Sequence, residues 1–292
     1  MKGIGADQVT GLEPQITVDE KTNEMNDLII CVAPYPGEKQ VEKFPGPLNT
    51  TEEIVRSYNA GAAIAHLLVR DERGLQTVND MLFRTELEKI KMACPVIIEV
   101  STGGAPQHSL AERCVGFLAP QAELGTLNLG SVNMYDGLFG NPPEEIIFYA
   151  KELKRRHLKP TLTVFDLSHL HRVEALAGAG LIEPPYVFNL VFDVPNALPY
   201  KEQYLELYLK EMPKGSVWFV TRYHAHRIRD LSMVFALGGH SRIGYEDGPF
   251  LSDGTRARSN ADLVQEVSKA AETAGRTVVS PERARTILGI NR

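Results

Sequence analysis

The sequence predicts an α/β protein of the (β/α)8 barrel class, and three observations carry that reading. The chain has 292 residues, near the usual size of one such barrel and too long for a single small domain. Eight apolar runs recur along it, at residues 28–33, 63–69, 96–101, 125–129, 161–165, 187–192, 217–221 and 242–246. Most are continuously apolar rather than alternating, as parallel strands covered on both faces must be. Helix-like stretches separate them, and alternating strands and helices imply a parallel sheet, which eight rounds would close. An open doubly wound sheet is the alternative. It would usually carry a glycine-rich phosphate loop after its first strand, where this chain reads Val32-Ala33-Pro34-Tyr35-Pro36-Gly37-Glu38.

Taken in order, residues 1–26 read as an N-terminal arm or tail, and residues 27–292 as the barrel. Thr50, Thr51 and Glu53 bring capping chemistry to the start of a helix. Pro142 and Pro143 precede a helical run to about His157, which suits proline in a first turn. Residues 200–212 and 228–237 are further helices, and the runs near 258–274 and 281–288 complete the outer ring. No long linker, low-complexity tract or short-period repeat interrupts the pattern.

Composition narrows the function classes. Hydrophobic residues make up 43% of the chain, enough for a sizeable core. No apolar run is long enough to cross a bilayer, and the polar, acidic first 26 residues hold no stretch that reads as a signal peptide. The expected location is therefore the cytoplasm, without a membrane partner. A net charge of −6 argues against nucleic acid as a partner. The three cysteines, Cys31, Cys94 and Cys114, match no zinc spacing and read as buried free thiols.

Chemistry in such a barrel gathers where strands end, and polar groups cluster there. Glu38 follows the first strand. His66 lies in the second, ahead of Arg70 and Asp71. Ser101-Thr102-Gly103-Gly104 ends the third, and Thr126, Asn128 and Ser131 mark the fourth. Asp166 and His169 follow the fifth strand, and Arg222, His224 and His226 the seventh. Arg242, Glu246 and Asp247 belong to the eighth. Each has an ordinary structural reading beside the functional one. His66 reads either as an interior histidine with a hydrogen-bond partner or as a ligand. Glu246-Asp247 reads as a solvated turn or, with Arg242 nearby, as a base held ionised and aimed. Ser-Thr-Gly-Gly reads as a turn or as backbone that lets N–H groups approach an anion. His224 and His226 share a face if extended, which suits metal ligation or a basic loop.

These residues resemble the β-keto acid cleavage enzymes. The similarity runs from about residue 28 to the C-terminus. It rests on Gly61-Ala62-Ala63-Ile64-Ala65-His66 with Val69-Arg70-Asp71, on Ser101-Thr102-Gly103-Gly104, and on Thr126-Leu127-Asn128-Leu129-Gly130-Ser131. Val164-Phe165-Asp166-Leu167 and the stretch from Gly238 to Asp247 complete it. Five such pieces in the same order and at similar spacing are specific where none is alone.

The resemblance implies a TIM barrel that forms a homo-oligomer, a tetramer or dimer. It implies a divalent metal, typically zinc, and acetyl-CoA as co-substrate. The reaction would convert a β-keto acid and acetyl-CoA into acetoacetate and a new acyl-CoA by Claisen and retro-Claisen steps. By matching positions, His66 and Glu246 are metal ligands. Asp247 is the base, held by Ser101 and Arg242. Glu38 and Thr126 match substrate-pocket positions, with Thr102, Gly103 and Asn128 beside them. Two departures stand out. The family's His-x-His reads His66-Leu67-Leu68 here, so either His224 or His226 replaces the missing ligand or tight metal binding is lost. Thr163 stands where a carboxylate is frequent. A metal-assisted aldolase or hydrolase, or a non-catalytic barrel binding a carboxylate or CoA ester, are the competing functions. Retention of Ser101, Arg242, Glu246 and Asp247 together favours catalysis.

Overall fold

Eight parallel strands close into a barrel in chain order. The computed structural model describes residues 26–35, 49–71, 75–102, 108–223 and 231–290. The arm expected at residues 1–26 therefore lies almost wholly outside the described residues, as do Glu38, Gly103, His224 and His226. The strands are β1 (Ile30–Val32), β2 (Ile64–Leu67), β3 (Ile97–Val100), β4 (Leu124–Asn128), β5 (Lys159–Val164), β6 (Val187–Phe192), β7 (Val217–Arg222) and β8 (His240–Ile243). Pairing of Ser241 with Ile30 and Arg242 with Cys31 closes the ring between β8 and β1.

The surrounding helices are α1 (Thr50–Asn59), α2 (Asp80–Ala93), α3 (Leu110–Arg113), α4 (Pro143–Arg155), α5 (His171–Gly178), α6 (Glu202–Glu211), α7 (Leu231–Ala236), α8 (Asn260–Thr273) and α9 (Pro281–Leu288). The cap of α1 is Asn49, one residue before the expected start, and its side chain accepts from the Glu52 N–H. Pro143 occupies the first turn of α4 as expected. The third unit is abbreviated: α3 has one turn and continues into a 3-10 turn, Val115–Leu118. That turn lies flat on the barrel because Gly116 has no side chain. A Cβ there would meet the Val100 Cβ at 2.9 Å.

The core has two shells. One lies between strands and helices and is built from residues such as Leu67, Val100, Leu127, Leu162, Phe188 and Val220. The other fills the N-terminal end of the barrel with Ile29, Ile64, Ile97, Leu124, Val187 and Phe219, and Ala284 and Leu288 of α9 plug it from below. Glu123, just before β4, accepts from Lys91 and from Arg285, tying α2 and α9 to this floor. Burial opposes its ionisation, but those two cations outweigh it and hold its carboxyl below the ordinary range. Cys31, Cys94 and Cys114 are free and buried, as expected.

Most strand limits shift by one or two residues from the sequence reading, and the first and eighth strands differ for identifiable reasons. The first run was expected to continue from residue 28 to 33, but the pairing breaks at Ile29. Asp27–Leu28 instead pairs with Thr277–Val278, and the Ile29 N–H donates to His240 Nδ1 at 3.1 Å. The eighth strand, expected over residues 242–246, spans His240–Ile243. It ends because Gly244 turns against β1, where a Cβ would fall 2.1 Å from the Ala33 carbonyl oxygen.

His240 yields a stability prediction. Its ring packs on Phe219, with centroids 5.1 Å apart. Burial first, and then the charge of Arg276, push the imidazole down to about 3 from its ordinary 6.5. The unfolded chain therefore takes up a proton below pH 6.5 that the folded chain refuses. This contribution is complete above that pH and drains away as pH falls toward 3. Between pH 7 and pH 5 the loss should be about 2 kcal/mol. Urea unfolding at both pH values should show a shallower dependence in His240→Asn, which keeps an acceptor for Ile29 but cannot titrate. Equal dependence in both proteins would refute the assignment.

Candidate active site

The interior changes character toward the C-terminal ends of the strands. Below lie isoleucine, leucine and valine; above them are Glu99, Thr161, Asn189, Thr221, His66, Thr126 and Arg242, all buried. Each reaches the interior through the two-residue alternation of its strand. A hairpin after β4, Val132–Met134 with Gly137–Phe139, packs against Phe165, Val191 and Val194 and walls one side of the mouth.

The turn after β8 sets the charged centre. Asp247 N–H donates to the Gly244 carbonyl at 3.0 Å, and Glu246 N–H to the Ala33 carbonyl at 3.1 Å. Tyr245 N–H donates to Asn260 Oδ1 at 2.8 Å, and Asn260 Nδ2 reaches Glu53 Oε1 and the Pro34 carbonyl. Helices α1 and α8 thus clamp the turn that carries both carboxylates. Arg242 forks onto Asp247, with Nε to Oδ2 at 3.1 Å and Nη2 to Oδ1 at 3.0 Å. Its Nη2 also donates to Glu246 Oε1 at 2.6 Å. Only 1% of the Asp247 side chain and 8% of that of Arg242 are exposed, so this is an ion pair of low dielectric, not a solvated turn.

The two carboxylates titrate apart. Burial, then the neighbouring negative charge of Glu246, push Asp247 up to about 6 against the pull of Arg242. For Glu246 burial acts in the same sense but is outweighed by Arg242, His66 and Arg70, which hold it below its ordinary value. Tyr223, just beyond β7, feels the same two carboxylates. Burial and their charge push its phenol far above the ordinary value.

His66 lies beside this pair, its Nε2 3.7 Å from Glu246 Oε2. Its Nδ1 meets Glu99 Oε2 at 2.6 Å. Glu99 is a residue that the sequence reading missed. It stands inside the apolar run Val96-Ile97-Ile98-Glu99-Val100, and a single charge inside such a run was the signal available. Its other oxygen accepts from Thr161 Oγ1 at 2.5 Å. Burial opposes its ionisation, but His66, Thr161 and Arg242 prevail and hold it below the usual range.

The structure brings His66, Arg242, Glu246 and Asp247 together. Ser101 stands one residue past β3, its N–H donating to the Leu67 carbonyl. The hydroxyls of Thr102 and Thr126 are turned toward each other. Thr102 N–H donates to Thr126 Oγ1 at 2.9 Å, and Thr102 Oγ1 donates to the Thr126 carbonyl at 3.2 Å. Asn128 Nδ2 approaches Thr102 Oγ1 at 3.5 Å. Thr102 has no exposed surface, so this trio fastens the end of β3 to β4. Asp166 and His169 also serve local structure. Asp166 caps a 3-10 turn, and the His169 ring fills the space over Gly130, where a Cβ would fall 2.4 Å from it. Arg222 donates to Asp193 at 2.7 Å and lies over the Tyr200 ring.

As a metal site, the described residues supply an imidazole nitrogen and a carboxylate, His66 and Glu246, converging from β2 and from the turn after β8. That pairing of donors suits zinc, whose catalytic sites combine them with an open position. Two buried carboxylates, Glu99 and Asp247, and the partly buried Glu246 stand against one arginine and one histidine, a balance that favours an added cation. Among the described residues no group of three His, Cys, Asp or Glu side chains is arranged to hold an ion. Leu68, which stands where the family pattern has its second histidine, offers no donor.

Comparison with known proteins agrees with this geometry. Residues 27–290 match the family described as beta-keto acid cleavage enzyme. The chain is 35% identical to the 3-keto-5-aminohexanoate cleavage enzyme of Acetoanaerobium sticklandii over 275 residues, 92% of this chain and 100% of that one. It is 30% identical to the 3-oxoadipate:acetyl-CoA acetyltransferase of Cupriavidus necator, over 84% of this chain and 88% of that one. Among solved structures, the apo structure of ObcA superposes with a TM-score of 0.66 at 18% identity, covering 83% of this chain and 64% of that one. This chain spans less than two thirds of ObcA's length, and at that identity the likeness is one of fold.

Proposed function

The chain belongs to the beta-keto acid cleavage enzyme family, and from that premise we propose that it converts a β-keto acid and acetyl-CoA into acetoacetate and a new acyl-CoA. The observation that supports this most directly is the Arg242 fork on Asp247 beside Glu246 and His66. His66 and Glu246 would hold a divalent cation, which would supply Lewis-acid polarisation of the oxygens of the keto acid.

Asp247 then takes a proton from the carbon between the two carbonyls. The resulting carbanion attacks the acetyl thioester and expels CoA thiolate. That thiolate attacks the former keto carbon, and cleavage of the carbon–carbon bond yields acyl-CoA and acetoacetate. Asp247 returns its proton, so the reaction balances without an oxidant or reductant. Its value of about 6 places the base close to neutral pH, where a general base works best. Arg242 and Ser101 orient it. Glu38, Thr126, Gly103 and Asn128 are the candidates for contact with the substrate in this reading, and Thr102, which has no exposed surface, supports Thr126 from behind.

Acetoacetate formation is the deciding measurement. The protein is incubated with acetyl-CoA and a panel of β-keto acids bearing amino, carboxylate and apolar ends. Acetoacetate should appear only with both substrates. Its absence across the panel would favour an aldolase, a hydrolase or a binding protein on the same barrel.

The cation is proposed to be zinc, with His224 or His226 as the candidate third protein ligand, because both follow β7 in the sequence and β7 pairs with β8, the strand that leads to Glu246. Elemental analysis should find about one zinc per chain, lost in His66→Ala and reduced in one loop-histidine variant. Leu68→His should tighten binding. Turnover by a wild-type protein free of metal would refute the cation's role.

No helix among the described residues is long and apolar enough to cross a membrane. A cytoplasmic homo-oligomer, dimer or tetramer, completes the proposal. Light scattering that returns a monomer mass would overturn the assembly.

A further inference from the structure

The feature that the proposed reaction leaves unexplained is Glu99. A carboxylate is costly to bury, by several kcal/mol after relaxation, and Glu99 is only 4% exposed, within a strand that otherwise carries isoleucine and valine. Both of its oxygens are engaged. Oε1 accepts from Thr161 across the barrel, and Oε2 meets His66 Nδ1 at 2.6 Å. The opposite ring nitrogen, Nε2, faces Glu246 Oε2 at 3.7 Å. The imidazole is thus gripped on one edge only, and that edge is the one turned away from the reacting centre.

We propose that Glu99 is the positioning residue of His66. It accepts the Nδ1–H proton, and so fixes the ring orientation and leaves the Nε2 lone pair directed at the mouth beside Glu246. A neutral imidazole carries one proton, and either nitrogen can hold it. Were it on Nε2, that nitrogen would donate to Glu246 and have no lone pair to offer. A carboxylate at Nδ1 removes that alternative, because an ionised carboxylate only accepts. Thr161 completes the device. Its hydroxyl donates to the far oxygen of Glu99, so the carboxylate cannot rotate away from the ring. Carboxylate partners of this kind orient ligating histidines and raise their basicity.

The proposal rests on the metal reading above only in its second measurement, so the two can fail separately. The first is made on metal-free protein. In wild type, the Nδ1–H proton of His66 should resonate far downfield, as a proton hydrogen-bonded to a buried carboxylate does; its absence in His66→Gln assigns it. In Glu99→Gln, which keeps the shape but can accept or donate, the signal should vanish or move upfield. An unchanged signal overturns the proposal. The second measurement is zinc affinity by competition with a chelator, which should weaken by ~10–100-fold in Glu99→Gln. A shifted resonance in a wild-type protein that binds no zinc would remove the metal reading and leave the positioning role standing. If Glu99→Gln does not fold, Thr161→Val is the substitute. It leaves the His66 contact in place and should move the same resonance, and an unmoved signal there also overturns the proposal.

Discussion

Replacement of Asp247 by asparagine should lower kcat by ~10²–10⁴-fold, the range for a positioned general base. The change keeps the size and planarity of the side chain and removes only the basic oxygen. Asp247 is the better placed of the two carboxylates for this role. Glu246 is held below its ordinary value by Arg242 and His66, which makes it a weak base and a good ligand. Asp247 is raised to about 6 by burial and by that neighbour, which makes it a base able to take a carbon-bound proton and return it. The effect should fall on kcat with a smaller change in KM, because the lost interaction forms only as the proton moves. Turnover near wild type in a folded Asp247→Asn protein would rule the role out. Circular dichroism of the variant provides the check on folding.

Replacement of Arg242 should carry the largest structural effect. Its guanidinium donates to both Glu246 and Asp247, and all three groups lie at 14% exposure or less. Arg242→Met fills much of the same space but strands two buried carboxylates beside each other. Breaking a buried pair by removing one partner costs about 3–5 kcal/mol, and urea unfolding at pH 7 should show a loss of that size. Part of it should return at lower pH, because protonation of Asp247 relieves the repulsion. Arg242→Lys keeps the charge but not the planar fork that grips both oxygens of Asp247. It should recover much of the stability while activity stays impaired. A stability loss below about 1 kcal/mol in Arg242→Met would show that the carboxylates are better solvated than their burial implies.

The barrel was legible in the sequence because its physical cause is local. Strands covered on both faces must be apolar throughout, and eight such runs separated by helical stretches admit few arrangements. The positions of His66, Arg242, Glu246 and Asp247 were legible for a related reason. Charged and titratable groups at the C-terminal ends of strands converge on one mouth once the strands close. The strand limits were not legible. The Ile29 N–H turns from the ladder to the His240 ring, 211 residues away, while its carbonyl still accepts from Ser241. The eighth strand stops at Ile243 because Gly244 must pass the Ala33 carbonyl. Neither event leaves a mark in the neighbouring residues.

The same division holds within the site. The sequence by itself determined that His66, Arg242, Glu246 and Asp247 reach the mouth, because they stand at or just past the C-terminal ends of strands. Only the tertiary structure decided what each would be there. Thr102 and Thr126 look equally available in the sequence, yet they bond to each other because β3 and β4 are neighbours. Glu99 reads as an anomaly in an apolar run until β2 places His66 opposite it. Glu246 and Asp247 are adjacent and chemically alike, and apart from the family resemblance nothing in their residue types separates the proposed ligand from the proposed base. The difference arises when Arg242, His66 and the surrounding burial act on the two unequally, because electrostatic interactions depend on distance and dielectric rather than on order along the chain.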